Sequence, residues 1–284
     1  MNAIQNLLIQ KEWRVIDQSA VGLHVSALQS FGMDDSLCAS VGSGLAPATM
    51  RAWVHQHTVV LGIQDTKLPY LKAGLDFLSQ EGYQYIVRNS GGLAVVLDDG
   101  VLNLSLIFPE KEKGIDINRG YDSMLALVEE MLPEAKGRII AKEIVGSYCP
   151  GSYDLSIDGR KFAGISQRRL RHGVAVQIYL CVSGSGSERA ELIKNFYTHG
   201  KKDHETKFSY PQIDKNVMAS LSELLHQDLT IADVMLRALQ VLHTKTEKIY
   251  SGTLTEEELP LFESYNQRVI ERNDKVFSEL DEKP

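Results

Sequence analysis

The sequence predicts an α+β fold: a central mixed sheet with flanking helices and a helical C-terminal region. Three observations carry this expectation. Helix and strand periodicities are mixed near the start, strand signals are dense through the middle, and helix-start patterns recur from about residue 187 onward.

Taken in order, Lys11–Asp17 reads as a short strand, and Leu28, Phe31, Asp35 and Leu37 fall at helical spacing in a segment that ends near Gly42 and Gly44. Met50–His55 and Thr58–Ile63 follow as strands separated by polar residues that suit a turn. A helix over 68–81 shows Leu71, Leu75 and Leu78 on one face. Tyr85–Arg88, Leu93–Leu97 and Val101–Phe108 give the densest strand signal. They are interrupted by Asn89-Ser90-Gly91-Gly92 and by Asp98-Asp99-Gly100, the second a good hairpin turn. Tyr121, Met124, Leu125, Val128, Met131 and Leu132 mark a helix by their three and four spacing.

Strands are expected again over Arg138–Glu143, Tyr153–Ile157, Lys161–Ser166 and Val174–Val182, with Asp158-Gly159 turning the second into the third. Ser185-x-x-Glu188, Thr230-x-x-Asp233 and Thr255-x-x-Glu258 have the form of capping boxes, so helices are expected to dominate the remainder.

Composition narrows the class. Hydrophobic residues at 43% and charged residues at 24% are ordinary globular values. No apolar run approaches the roughly 18 residues needed to span a bilayer. The start, MNAIQNLLIQKEWRVID, lacks a basic segment, a long apolar core and a cleavage site, so a cytoplasmic protein without membrane attachment is expected. A net charge of −7 argues against a nucleic-acid surface. Three scattered cysteines form neither a disulfide framework nor a metal-ligand pattern, so no metal or cofactor is expected.

Each cysteine is therefore judged alone. Cys38 lies in a helix and Cys181 in an apolar strand, the usual places for a buried thiol. Cys149 lies in Gly146-Ser147-Tyr148-Cys149-Pro150-Gly151-Ser152, rich in turn formers and poor in core residues, where a thiol can react. Lys161 follows beyond the Asp158-Gly159 turn, which can return its ammonium toward Cys149 and favour the thiolate. A solvated strand lysine is the alternative. Asn89-Ser90-Gly91-Gly92 is either a plain turn or a loop that lets a ligand approach the backbone. Arg160, Lys161, Arg168, Arg169, Arg171 and His172 form a basic patch suited to phosphate or to an acidic protein surface, or else a solvated hairpin.

Residues 88–103, RNSGGLAVVLDDGVLN, resemble the R-x-S-G-G-G-x-V-x-H-D-x-G-x-x-N signature of the lipoate-protein ligase, octanoyltransferase and biotin ligase superfamily. Residues 159–166, GRKFAGIS, resemble its G-x-K-x-x-G motif. The loop GSYCPGSYD and the stretch through Gln167-Arg168-Arg169 look most like its branch of octanoyl-[glycine cleavage H protein]:protein octanoyltransferases, over nearly the whole chain.

The resemblance implies a lipoate/biotin ligase-like catalytic domain over 41–250. Residues 1–40 would be an N-terminal strand and helix belonging to it, and 251–284 a helical extension. It implies a catalytic pair, Cys149 as thioester nucleophile and Lys161 as the lysine that lowers its pKa and faces the reacting carbonyl. Arg88, Ser90, Gly91, Gly92 and Gly164 would be substrate-binding. The implied activity is ATP-independent amidotransfer, with octanoylated H protein as donor and lipoyl domains of 2-oxoacid dehydrogenase E2 subunits as acceptors. Leu93 stands where the signature has its third glycine and Leu97 where it has histidine, and both departures argue against adenylate formation. Octanoyl-acyl carrier protein as donor, an ATP-dependent lipoate ligase and a catalytically inert lipoyl-domain binder are the competing readings.

Overall fold

The computed structural model describes residues 6–20, 25–110 and 114–281; part of the amino-terminal reading, residues 1–5, lies outside them. The chain runs β1 (Gln10–Gln18), α1 (Ala27–Ser43), β2 (Thr49–Trp53), β3 (Thr58–Leu61), α2 (Leu71–Gln80), β4 (Gln84–Val87), β5 (Val95–Leu97) and β6 (Val101–Pro109). It continues through α3 (Ile117–Met131), β7 (Ile139–Ala141), β8 (Asp154–Ile157), β9 (Arg160–Leu170) and β10 (Gly173–Cys181). The last elements are α4 (Gly186–Lys201), α5 (Leu221–Leu225), α6 (Ile231–His243), β11 (Thr246–Ser251) and α7 (Leu259–Asp281).

Eight strands form a mixed sheet in the order β11-β1-β2-β6-β10-β9-β8-β7, and three form a second sheet, β4-β3-β5. In the large sheet β1 is parallel to both β11 and β2, and the remaining pairs are antiparallel. Strand β6 shows why its centre is covered on both faces. Leu102, Leu104, Leu106 and Phe108 join the core under α3 and α6, while Ile107 points to α1 on the other side. A strand buried on both faces reads as a continuous apolar run rather than an alternation, as β6 does.

β2 and β3 enter different sheets. One hairpin expectation is corrected: β5 pairs with β3 while β6 pairs with β2 and β10. The Asp98-Asp99-Gly100 turn reverses the chain, but Asp98 is taken by Arg189 at 2.6 and 2.7 Å and the two strands part. Helices dominate the end as expected, and β11 adds a parallel edge strand beside β1 that the sequence reading did not include.

Ser185 and Thr230 cap α4 and α6 as expected from their patterns. Glu258 of the third pattern accepts from Thr255 N at 2.9 Å and also takes a bidentate bond from buried Arg14 at 2.6 and 2.8 Å, which fastens the start of α7 to β1. Gly32 of α1 then lets α7 approach closely, because a Cβ there would stand 2.7 Å from the Asn266 backbone. No helix among the described residues is long and apolar enough to cross a membrane.

Candidate active site

The 144–153 loop presents Cys149 in a left-handed conformation, φ 45°. For a residue with a Cβ this costs roughly 1–2 kcal/mol, so the surroundings must impose it. Asp154 supplies much of that constraint. Its carboxylate accepts from Ile144 N at 3.3 Å and from Ser147 Oγ at 3.5 Å, and its own N–H donates to Gly151 O at 3.1 Å. Lys161 adds to it. Its Nζ donates to the carbonyls of Tyr148 and Cys149 at 3.0 and 2.9 Å, stands 2.9 Å from Asp154 Oδ1, and reaches Ser147 Oγ at 3.4 Å. Lys161 and Asp154 are 2% and 1% exposed, so the pair is removed from water together. Burial pushes the Asp154 carboxyl above its ordinary value even though the ammonium opposes that shift.

A bulge brings this pair onto one face. β8 and β9 join through Asp158 and Gly159, both at positive φ as a two-residue hairpin turn requires. Leu155 pairs with Ala163 but Ser156 pairs with Lys161, leaving Phe162 as an extra residue in β9. Strand residues three apart ordinarily face opposite ways; the inserted residue turns Lys161 to the side of Asp154 and Gly164. A Cβ at Gly164 would stand 3.6 Å from Asp154 Oδ1 and 3.7 Å from Lys161 Nζ. The K-x-x-G spacing thus acquires a geometric meaning.

The sulfur faces the other motif. Among the described residues its hydrogen-bond donors are the Leu93 N–H at 3.2 Å and Arg88 Nη2 at 3.4 Å, and the same Nη2 donates to Leu93 O at 2.6 Å. In this structure Lys161 Nζ bonds the carbonyl of Cys149 rather than its sulfur. Gly92, at φ 101°, makes the approach of Arg88 feasible, since a Cβ there would meet Arg88 Nη2 at 2.3 Å and Cys149 Sγ at 3.0 Å. Gly91 differs, because a Cβ at that position would meet nothing within 4 Å.

The loop is braced from behind. Gly62 admits the Gly92 carbonyl, which a Cβ would meet at 1.9 Å. Buried Asp65 accepts from Gly62 N at 2.7 Å and from the Tyr197 hydroxyl at 2.8 Å, and that hydroxyl accepts from Ala94 N at 3.4 Å. Burial pushes Asp65 up to about 6 against the lowering effects of those bonds and of Arg88.

All seven residues expected at the site, Arg88, Ser90, Gly91, Gly92, Cys149, Lys161 and Gly164, line one cavity of about 360 Å³. That is near the small end of ligand sites, about 300–1,000 Å³. Its apolar part is walled by Phe31, Trp53, Val60, Val95 and Leu97. Sequence reasoning missed Asp154, Asp65 and the Leu93 N–H. Asp154 does lie in the recognisable GSYD run, but a backbone donor carries no side-chain signal. Part of the basic patch is compensated: Lys161 pairs with Asp154, Arg168 with Asp35 at 2.7 Å and Arg169 with Glu110 at 3.1 Å.

The other two cysteines are core thiols. Burial pushes Cys38 up to about 12 and Cys181 up to about 11, the latter despite the adjacent Arg189. Among the described residues, no group of three or more His, Cys, Asp or Glu side chains is arranged to hold a metal ion.

Comparison with known proteins places this geometry in context. The lipoyl protein ligase A/B catalytic domain matches residues 26–243. A Bacillus velezensis protein named octanoyl-[GcvH]:protein N-octanoyltransferase is 60% identical over 274 residues, 96% of each chain. A Listeria monocytogenes protein named lipoyl-[GcvH]:protein N-lipoyltransferase is 52% identical over 278 residues, 98% of this chain and 100% of that one. The solved structure of lipoate-protein ligase A bound with ATP shares the fold, with a TM-score of 0.67 over 91% of this chain and 95% of that chain at 15% identity.

Proposed function

The chain belongs to the lipoyl protein ligase A/B catalytic domain family, and we propose that it is a cytoplasmic amidotransferase carrying an octanoyl group on Cys149. The donor is the octanoylated glycine cleavage H protein, the protein named in its relatives, and the acceptor is the lipoyl-domain lysine of 2-oxoacid dehydrogenase E2 subunits. One observation carries the thioester reading: the Cys149 sulfur lies in the wall of an apolar cavity and accepts from Leu93 N–H and the Arg88 guanidinium. Donors aimed at a sulfur stabilise the charged, nucleophilic form.

Sulfur attacks the carbonyl of the octanoyl-lysine amide, the C–N bond breaks, and the proton given up by the thiol leaves on the lysine amine. The acceptor lysine then attacks the thioester, the C–S bond breaks, and a proton returns to sulfur. Amide is exchanged for amide, so no nucleotide is consumed. The uphill step is the first, and burial of about six methylenes supplies up to ~5 kcal/mol with which to hold the carbonyl against sulfur. Lys161 fixes the loop by holding the Cys149 carbonyl, so that the sulfur keeps its place between Arg88 and Leu93.

The test is incubation with octanoylated H protein without ATP, followed by intact mass. An octanoyl adduct sensitive to hydroxylamine is expected, and it is absent in Cys149→Ala. Transfer to a lipoyl domain by Cys149→Ala would overturn the proposal. Because one relative is named a lipoyltransferase, lipoylated H protein belongs in a parallel arm, and octanoyl-acyl carrier protein in another.

A further inference from the structure

We propose that Asn273, on α7 and outside the matched segment 26–243, is a positioning residue for acyl transfer that sets Arg88 against the Cys149 sulfur. The inference rests on the reading of Cys149 as acyl carrier and extends the site to a helix that the family match does not reach.

Strand β4 lies at one edge of the three-stranded sheet, with β3 on its inner side. An edge strand exposes backbone donors and acceptors on its free side. At Val87, the last residue of β4, Asn273 takes both: Oδ1 accepts from Val87 N at 2.7 Å and Nδ2 donates to Val87 O at 2.9 Å. The side-chain amide thereby acts as a one-residue strand partner. On the opposite side, Leu61 is the β3 partner of Val87, and its carbonyl accepts from the next residue, Arg88 N, at 3.0 Å. The backbone is therefore gripped from both sides at the point from which the Arg88 side chain departs toward Leu93 O and Cys149 Sγ.

The clamp itself is rigid. Asn273 is 4% exposed, and its Nδ2 also donates to Val269 O one helical turn earlier, which fixes the amide orientation. Val269 is buried in the same cluster as Phe31, Trp53 and Leu97, which line the apolar part of the cavity. One turn of α7 thus backs the cavity wall and the next holds the strand that supplies its cation. An apolar side chain there would leave the Val87 N–H and C=O without partners, so the amide holds the strand end by satisfying both groups at the residue before Arg88.

The experiment compares Asn273→Leu, which keeps the volume and loses both bonds, with Asn273→Asp, which can still accept from Val87 N–H. Each is made in the wild-type chain and in Arg88→Gln. Readouts are Tm, the rate of Cys149 alkylation by iodoacetamide at pH 7, and kcat and KM for octanoyl uptake from octanoylated H protein. Asn273→Leu is expected to slow alkylation about fivefold and lower kcat about tenfold, with KM for the H protein within about twofold. Asn273→Asp falls between wild type and Asn273→Leu.

In Arg88→Gln the further effect of Asn273→Leu is expected to be under about twofold, because the group being positioned is gone. Unchanged alkylation and kcat in a folded Asn273→Leu protein, or a full additive loss in the Arg88→Gln background, overturns the proposal. Where Asn273→Leu is too unstable to purify, Asn273→Asp is judged by the same two criteria. Failure of the underlying reading looks different: the wild-type chain then forms no octanoyl adduct, while the alkylation rates still report whether Asn273 acts through Arg88.

Discussion

Lys161→Met removes an ammonium that holds four acceptors in a dry part of the site, and its consequences can be worked through in order. Asp154 loses its counter-ion, and the carbonyls of Tyr148 and Cys149 lose their donor. Breaking a buried pair by removing one partner costs about 3–5 kcal/mol. Asp154 limits that cost, because burial already pushes its carboxyl upward and the missing ammonium was the largest influence holding it down. It takes up a proton instead of remaining an unpaired charge. A loss near ~3 kcal/mol is therefore expected, and at about 2–4 °C per kcal/mol the Tm falls by roughly 6–12 °C.

The pH dependence has a definite sign. With the folded pKa of Asp154 raised further above its unfolded value, the folded state binds more protons than the unfolded state across that window. The stability of Lys161→Met then falls as pH rises, so its deficit against wild type is smaller at pH 5 than at pH 8. Adding Asp154→Asn removes the titrating group and flattens that difference. Octanoyl adduct formation drops by about 10²-fold in both variants, since neither holds the Cys149 carbonyl and a misplacement near 1 Å is sufficient. Thermal melts at two pH values and intact-mass adduct rates check all of this. A Lys161→Met protein with wild-type Tm, or one that acylates at the wild-type rate, would refute the view that Lys161 fixes the loop.

Two further outcomes follow from the buried groups. Asp65 titrates at about 6 in the folded chain against an ordinary 3.8, a gap worth ~3 kcal/mol, so it draws stability out of the fold as pH rises from about 4 to about 6. Asp65→Asn should flatten that fall in chemical denaturation curves, and an unchanged slope would show that Asp65 is not the titrating group. Iodoacetamide should label the native protein once, on Cys149, and reach Cys38 and Cys181 only after unfolding; native labelling of either core thiol counts against their burial.

The sequence carried the elements well where periodicity and turn chemistry act locally, and carried pairing poorly. Leu71, Leu75 and Leu78 mark α2 because a helix face repeats every three to four residues, and Asp158-Gly159 marks a hairpin because both residues adopt positive φ. Asp98-Asp99-Gly100 has equally good turn chemistry, but the partners of β5 and β6 are chosen by burial in two different sheets. β11 escaped because TEKIYS is an edge strand with half its surface in water, leaving no apolar alternation to read.

The site shows the same division. Cys149 and Lys161 stand out through local composition and motif, whereas the bulge that turns Lys161 toward Asp154 depends on strand register. The bond from Asn273 to Val87 joins residues 186 positions apart, which no local pattern can encode.

The two departures from the superfamily signature acquire physical reasons once the cavity is seen. Leu97 is 1% exposed and packs with Phe31, Trp53 and Val60 in the cluster that walls the apolar part of the cavity. A histidine there would need a polar partner or water, since an unpaired buried polar group costs roughly 1–3 kcal/mol, and either would compete with a hydrocarbon chain for the same space. Leu93 contributes through its backbone: the N–H reaches the sulfur and the carbonyl takes Arg88, so losing the glycine removes neither contact. The substitutions thus leave the donors to sulfur intact while keeping this wall of the cavity apolar. That combination suits the proposed passage of a protein-borne acyl group through a Cys149 thioester, with the Arg88 guanidinium opposite the sulfur.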